Sequence, residues 1–341
     1  MPLIRVVRKV RMCHSVHAIW RVTIHRIIRC SPAKVLGRFA DYSVEHKKKH
    51  SLEVMNREPS VLLAALACLL IFLPSFAAQG SVAEASLPSG KIVSADFHVG
   101  NSGQPAVLIL HGFLQTSEFP TIASMNDALS TAGYTVLAPT LSLGISRRNR
   151  SLPCEAVHLH TLDDDAAEVA FWVRWLMQRG YTRIILVGHS FGNLQLLTYL
   201  GRDPSPAVKQ VLMISLTDVE VKQDARQRAR YAQDLRNRVA RGDNALVETE
   251  FGACKKYVST PAALLSYLKL SRRSILDSLV NSPVPAAAIM GGKDDRMGPD
   301  WVDRLVSRGI AVRVIPGASP FFDNQYEFDL QEALLQAMPG R

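Results

Sequence analysis

From residue 91 onward, short apolar runs alternate with segments of helical period. Ala106-Val107-Leu108-Ile109-Leu110 contains no polar residue and stops at His111-Gly112, the pattern of a strand covered on both faces. Residues 134–138, ended by Pro139, and residues 183–187, 208–215, 286–290 and 312–315 read as further strands, and 91–98 alternates weakly. Between them, 123–132 and 193–200 have helical spacing. Residues 163–179 form the strongest amphipathic pattern: Thr161 can cap it, Asp164 completes a T-x-x-D box, and Gly180 follows its end. Phe171, Trp172 and Trp175 on that helix read as core. Strands that alternate with helices predict an α/β domain with a mostly parallel, doubly wound sheet. Residues 217–282 are mostly helical in pattern, break this rhythm, and predict a cap.

The chain before this region reads differently. Residues 61–73, VLLAALACLLIFL, are thirteen apolar residues without charge, followed by Pro74 and the small-residue stretch Ser75-Phe76-Ala77-Ala78. That is the length of a signal-peptide core and short for a membrane span of about 20 residues. The expectation is a leader over 55–85 with Met55 as the working start and cleavage after Ala77 or at Ala83-x-Ala85. The alternative is an uncleaved anchor at 61–76. Residues 1–54 are either a basic disordered arm or an over-long gene model. The folded domain is then 86–341, exported to the periplasm or secreted, with the N-terminal segment as the one route to membrane or envelope association.

Charge sharpens this division. Residues 1–54 hold 12 Lys and Arg against 3 acids, so nine of the ten net positive charges lie there. A near-neutral body excludes a genome-binding domain, and the partner expected is a small acyl compound rather than nucleic acid. With 48% hydrophobic and 21% charged residues, the chain is neither disordered nor collagen-like. Of its five cysteines, Cys13, Cys30 and Cys68 precede the domain. Cys154 and Cys254 remain, either as a disulfide or as two thiols.

The candidate chemistry sits at Gly188-His189-Ser190-Phe191-Gly192, between an apolar strand and a helix. Glycines two before and two after a serine permit a tight turn that lifts the hydroxyl above the sheet edge, and the N–H groups opening the helix face any negative charge beside it. With His111-Gly112-Phe113 after a buried strand and Gly291-Gly292-Lys293-Asp294 after another, residues 91–338 resemble the α/β-hydrolase fold family. The resemblance implies Ser190 as nucleophile, the Phe113 and Phe191 amides as oxyanion hole, and Asp294 as the acid. It also implies a base after the last strand, where the sequence reads Gly317-Ala318-Ser319-Pro320-Phe321-Phe322. Proline stands where the imidazole is expected, and no histidine follows His189.

Other imidazoles are few. His189 lies inside the turn and points away from Ser190, and His111 reads as a structural hydrogen-bonding group. His158 and His160, at the end of the long loop 141–160, are the candidates for a displaced base. Arg147, Arg148 and Arg150 in that loop read as a solvated basic face or as an anion-recognition patch. No metal or cofactor motif is visible. Two readings follow: a hydrolase of an ester, thioester or amide, or a non-catalytic relative that keeps the pocket for binding.

Overall fold

The computed structural model of the protein describes residues 80–219 and 225–339. The apolar run at residues 61–73, the basic segment 1–54, the site after Ala77 and Cys13, Cys30 and Cys68 lie outside the described residues. Among the described residues, no helix is long and apolar enough to cross a membrane.

At the centre of the sheet stand β3 (Ala106–Leu110) and β6 (Ile184–His189), each buried along its whole length. Their apolar runs do not alternate because both faces are covered. Along β3, Val107 and Ile109 join the core on one face, while Ala106, Leu108 and Leu110 join the other. The remaining strands are β1 (Ser81–Ser86), β2 (Ile92–His98), β4 (Thr135–Thr140), β7 (Val208–Ile214), β10 (Ala286–Gly291) and β11 (Ala311–Ile315). The order is β1-β2-β4-β3-β6-β7-β10-β11; β2 is antiparallel to both its neighbours and the rest run parallel. Helices α1 (Pro120–Thr131) and α8 (Tyr326–Ala337) cover the face of Val107 and Ile109. The other face takes α2 (Leu162–Met177) and α3 (Gly192–Leu200), with Trp172 and Leu194 completely buried. The predicted doubly wound sheet is present.

Three local expectations change. The sheet begins at Ser81, inside the segment assigned to the leader, because β1 pairs with β2 in antiparallel register from Ser81 opposite Phe97 to Ser86 opposite Ile92. The strand expected to stop before Pro139 continues to Thr140. Proline is tolerated there because β4 pairs with β3 only as far as Leu137, so its missing N–H faces no inner neighbour.

The cap is less helical than its pattern. It contains α4 (Ala225–Ala240), α5 (Pro261–Leu268) and α6 (Arg272–Val280), but also the hairpin β8 (Val247–Phe251) and β9 (Cys254–Ser259). With β5 (Val157–His158) the hairpin makes a three-stranded sheet, β5-β9-β8. Its outward positions carry Glu248 and Lys256, which pair across the strands at 3.8 Å, while Phe251 and Tyr257 point into the core. Cys154 and Cys254 form a disulfide, with Cα atoms 5.4 Å apart, that joins the 141–160 loop to β9. The thiol alternative is thereby set aside.

Candidate active site

Ser190 follows β6 with φ of +53°, a left-handed conformation that side chains adopt at a cost of about 1–3 kcal/mol. The surrounding backbone holds it there. Its N–H donates to the Ile214 carbonyl at 2.9 Å, and its carbonyl accepts from the Asn193 N–H at 3.1 Å. Glycine is required on both flanks. A Cβ at Gly192 would lie 2.7 Å from the His111 carbonyl oxygen and 2.8 Å from that of Leu110; one at Gly188 would lie 2.6 Å from Asn193 Oδ1. The close approach at Gly192 also sets the 111–113 turn against the start of α3. The Phe113 and Phe191 rings are 4.6 Å apart, and among the described residues neither backbone N–H has a protein acceptor.

His111 supports this turn from below. Its Nε2 accepts from the Leu141 N–H at 3.0 Å and from Arg148 Nη2 at 3.0 Å, so Nδ1 carries the proton and donates to the Gly112 carbonyl at 2.9 Å. Burial, reinforced by the Arg148 charge, depresses its pKa to about 3. Arg148 is buried and also donates to the carbonyls of Leu141, Gln115 and Arg150. It is an internal bracket, contrary to the expected solvated face; Arg147 instead pairs with Glu84 at the surface. His189 turns away from Ser190. Its Nε2 donates to the Pro320 carbonyl at 2.9 Å, and burial lowers its pKa to about 4.

Asp294 has a partner that the sequence did not announce. Asp294, on the loop after β10, has a completely buried carboxylate that accepts from Arg296 Nε and Nη2, both at 2.7 Å. The same guanidinium donates from Nη1 to Ser190 Oγ at 3.3 Å and from Nη2 to the Ser215 carbonyl at 3.3 Å. Arg296 thus stands between serine and aspartate, where an imidazole would complete a triad. Lys293 N–H donates to the Ala318 carbonyl at 2.9 Å, which lays the Pro320 loop beside the Asp294 loop. The sequence reading overlooked Arg296. The available signal was the i, i+2 spacing from Asp294, together with the need of a buried carboxylate for some cation once histidine is absent.

His158 and His160 are elsewhere. His160 Nδ1 lies 3.0 Å from Asp165 Oδ1, and Asp165 also accepts from Gln195 Nε2 at 3.1 Å and from the Tyr267 hydroxyl. Burial drives the Asp165 pKa up, but His160 and these hydrogen bonds outweigh it and hold the group below its ordinary value. His158 stacks on Tyr257 with ring centroids 4.2 Å apart. Neither histidine lines the cavity of about 260 Å³ that contains Ser190, whose walls include Phe113, Phe191, Phe321, Gln115 and Arg296. Among the described residues, no group of three or more His, Cys, Asp or Glu could hold a metal ion.

The model of the alpha/beta hydrolase family matches residues 107–328. The chain belongs to that family. No curated protein matches it. Among solved structures, this hydrolase-family chain is similar to DcsB in complex with its substrate analogue, at 14% identity and a TM-score of 0.56, over 76% of this chain and 98% of that one. It is similar to Est1E from Butyrivibrio proteoclasticus at 16% identity and a TM-score of 0.53, over 76% and 97%. The thioesterase domain from the curacin biosynthetic pathway matches at 16% identity and a TM-score of 0.51, over 75% and 99%. At these identities the likeness is one of fold; family membership is what supports a hydrolase.

Proposed function

We propose that the cavity at Ser190 is an acyl-compound site, built like that of a serine hydrolase, which in this chain binds its compound without turning it over. One observation carries the reading: Arg296 lies between Ser190 Oγ and Asp294. Attack by a serine hydroxyl needs a group to take its proton. A guanidinium is already fully protonated at neutral pH, and here it donates toward the oxygen that would attack. Asp294, doubly bonded to that cation, is committed elsewhere. The pocket walls remain suited to an apolar acyl group, and the unpaired amides of Phe113 and Phe191 to its carbonyl oxygen.

A second reading, hydrolysis with Ser190 as nucleophile and those amides as oxyanion hole, draws support from the strained φ of Ser190. A fluorophosphonate probe separates the two. The binding reading expects no labelling of the folded protein. Labelling at Ser190 that disappears in Ser190→Ala overturns it in favour of hydrolysis. Export belongs to the proposal as well, supported by the apolar run at 61–73 and by the Cys154–Cys254 disulfide, a bond that persists in oxidising compartments. Mass spectrometry of the mature amino terminus tests it; an intact Met1 terminus in the cytoplasm overturns it.

A further inference from the structure

We infer that the polar end of this cavity is a carboxylate site, and that its ligand is a small monocarboxylate with a compact aromatic or alkyl body. The inference rests on the binding reading and names its ligand class.

Phe113, Phe191 and Arg296 each bring a donor to the cavity. The N–H groups of Phe113 and Phe191 have no protein acceptor among the described residues, and Arg296 directs Nη1 at Ser190 Oγ. Donors that face a cavity favour an acceptor to match them. An ester or amide carbonyl presents a single oxygen. A carboxylate presents two oxygens with about four lone-pair sites, so one oxygen can sit between the two amides while the other meets the guanidinium and the serine hydroxyl. Charge-assisted bonds of that kind are roughly twice as strong as neutral ones.

The charges around the cavity permit an anion. Asp294 takes the Nε and Nη2 side of Arg296 and is completely buried, leaving Nη1 toward the cavity. Asp218 also lines the wall, but its buried carboxylate accepts from Arg272 Nε at 2.7 Å. Each of these two carboxylates is already met by a guanidinium. A hydrolase relying on a neutral imidazole would have no fixed cation at this point. With Arg296 there, the form of an acyl compound that gains most is the free acid.

The apolar end sets the body of the ligand. Phe113, Phe191 and Phe321 line it, and the hairpin turn at Gly252 and Ala253 closes over Phe113. A volume of about 260 Å³ lies at the lower end of small-molecule sites, which suits one ring or a short chain.

Titration calorimetry at pH 7.5 with 4-phenylbutanoate, 4-phenylbutanamide and 4-phenylbutanol tests this on the whole protein. The acid is expected to bind at least tenfold more tightly than the amide or the alcohol. Arg296→Gln should abolish that preference, and Arg296→Lys, which keeps the charge, should retain part of it. Circular dichroism establishes that each variant is folded; should Arg296→Gln not fold, the wild-type preference and Arg296→Lys still decide. Equal binding of acid and amide to the wild type, or an undiminished preference in a folded Arg296→Gln, overturns the carboxylate assignment and leaves the pocket reading standing. If none of the three binds, the pocket reading fails as well.

Discussion

Asp165 and Asp294 both have buried carboxylates, one beside an imidazole and one beside a guanidinium, and each has the partner the other's position would suit. Asp165 lies against His160, Tyr267 and Gln195, a titratable constellation that does not border the cavity. Asp294 stands near a serine in a strained turn, yet its partner is a permanent cation. The first pair has a group that can carry a proton but no reacting atom beside it. The second has a serine hydroxyl beside it, but the partner that meets that hydroxyl is a donor. The difference shows that an acid–base pair becomes chemistry only through what its second member touches. His160 ties the loop before α2 to Tyr267 on the cap helix α5, so its role is to join cap and body.

The largest effect should come from converting the second pair. Pro320→His combined with Arg296→Gln is expected to raise kcat/KM on short p-nitrophenyl esters by about 10²–10⁴-fold, the usual contribution of a general base. Pro320→His alone should give at least tenfold less than the double variant, because the guanidinium still holds Asp294. Equal rates for the two would show that Arg296 is no obstacle.

Next in size is Asp165→Asn, expected to lower stability by about 3–5 kcal/mol in urea unfolding at pH 7, since it breaks a completely buried network. Arg296→Gln should cost less, its side chain being 32% exposed. If the order reversed, the pair at the cavity would be the structural bolt and the comparison would fail.

A third measurement concerns the imidazole beside the serine turn. His189 is neutral in the fold, with its pKa lowered from 6.5 to about 4. The unfolded chain therefore binds protons first as pH falls, and the stability His189 contributes is complete above pH 6.5 and lost as pH drops toward 4. That loss is about 3 kcal/mol at 1.36 kcal/mol per pH unit. His189→Gln should flatten the corresponding part of the acid limb in unfolding midpoints recorded from pH 7 to 4; an unchanged limb would assign it to other groups, His111 first.

The smallest effect is at the start of α2, where Thr161 accepts from the Asp164 N–H at 3.0 Å and Asp164 accepts in return from the Thr161 N–H at 2.9 Å. Thr161→Ala should cost about 1 kcal/mol and, by loosening the turn that leads into Asp165, weaken the His160 network without touching ester turnover in the Pro320→His and Arg296→Gln background.

The parts legible in the sequence are those governed by short-range pattern. Buried strands show as unbroken apolar runs, the Ser190 turn as two glycines at fixed offsets, and the Asp294 loop as a strand end. Other parts depend on where distant segments meet. His160 and Tyr267 are 107 residues apart, and nothing in either neighbourhood announces the other. Arg296 is only two residues from its carboxylate, yet its reach to Ser190 is decided by a loop conformation that no periodicity encodes. β8 and β9 are short, and their outward charges mask the inward alternation of Phe251 and Tyr257. β1 escaped notice because, as a partly exposed edge strand, it needs few apolar residues.

The direction of the Ser190 side chain is imposed by carbonyls, amides and two bare α-carbons, none of which belongs to the groups it faces across the cavity. The turn is therefore a mount that keeps its aim whatever is installed opposite. Swapping a cation for an imidazole would change what the hydroxyl meets without touching any of the groups that hold the turn.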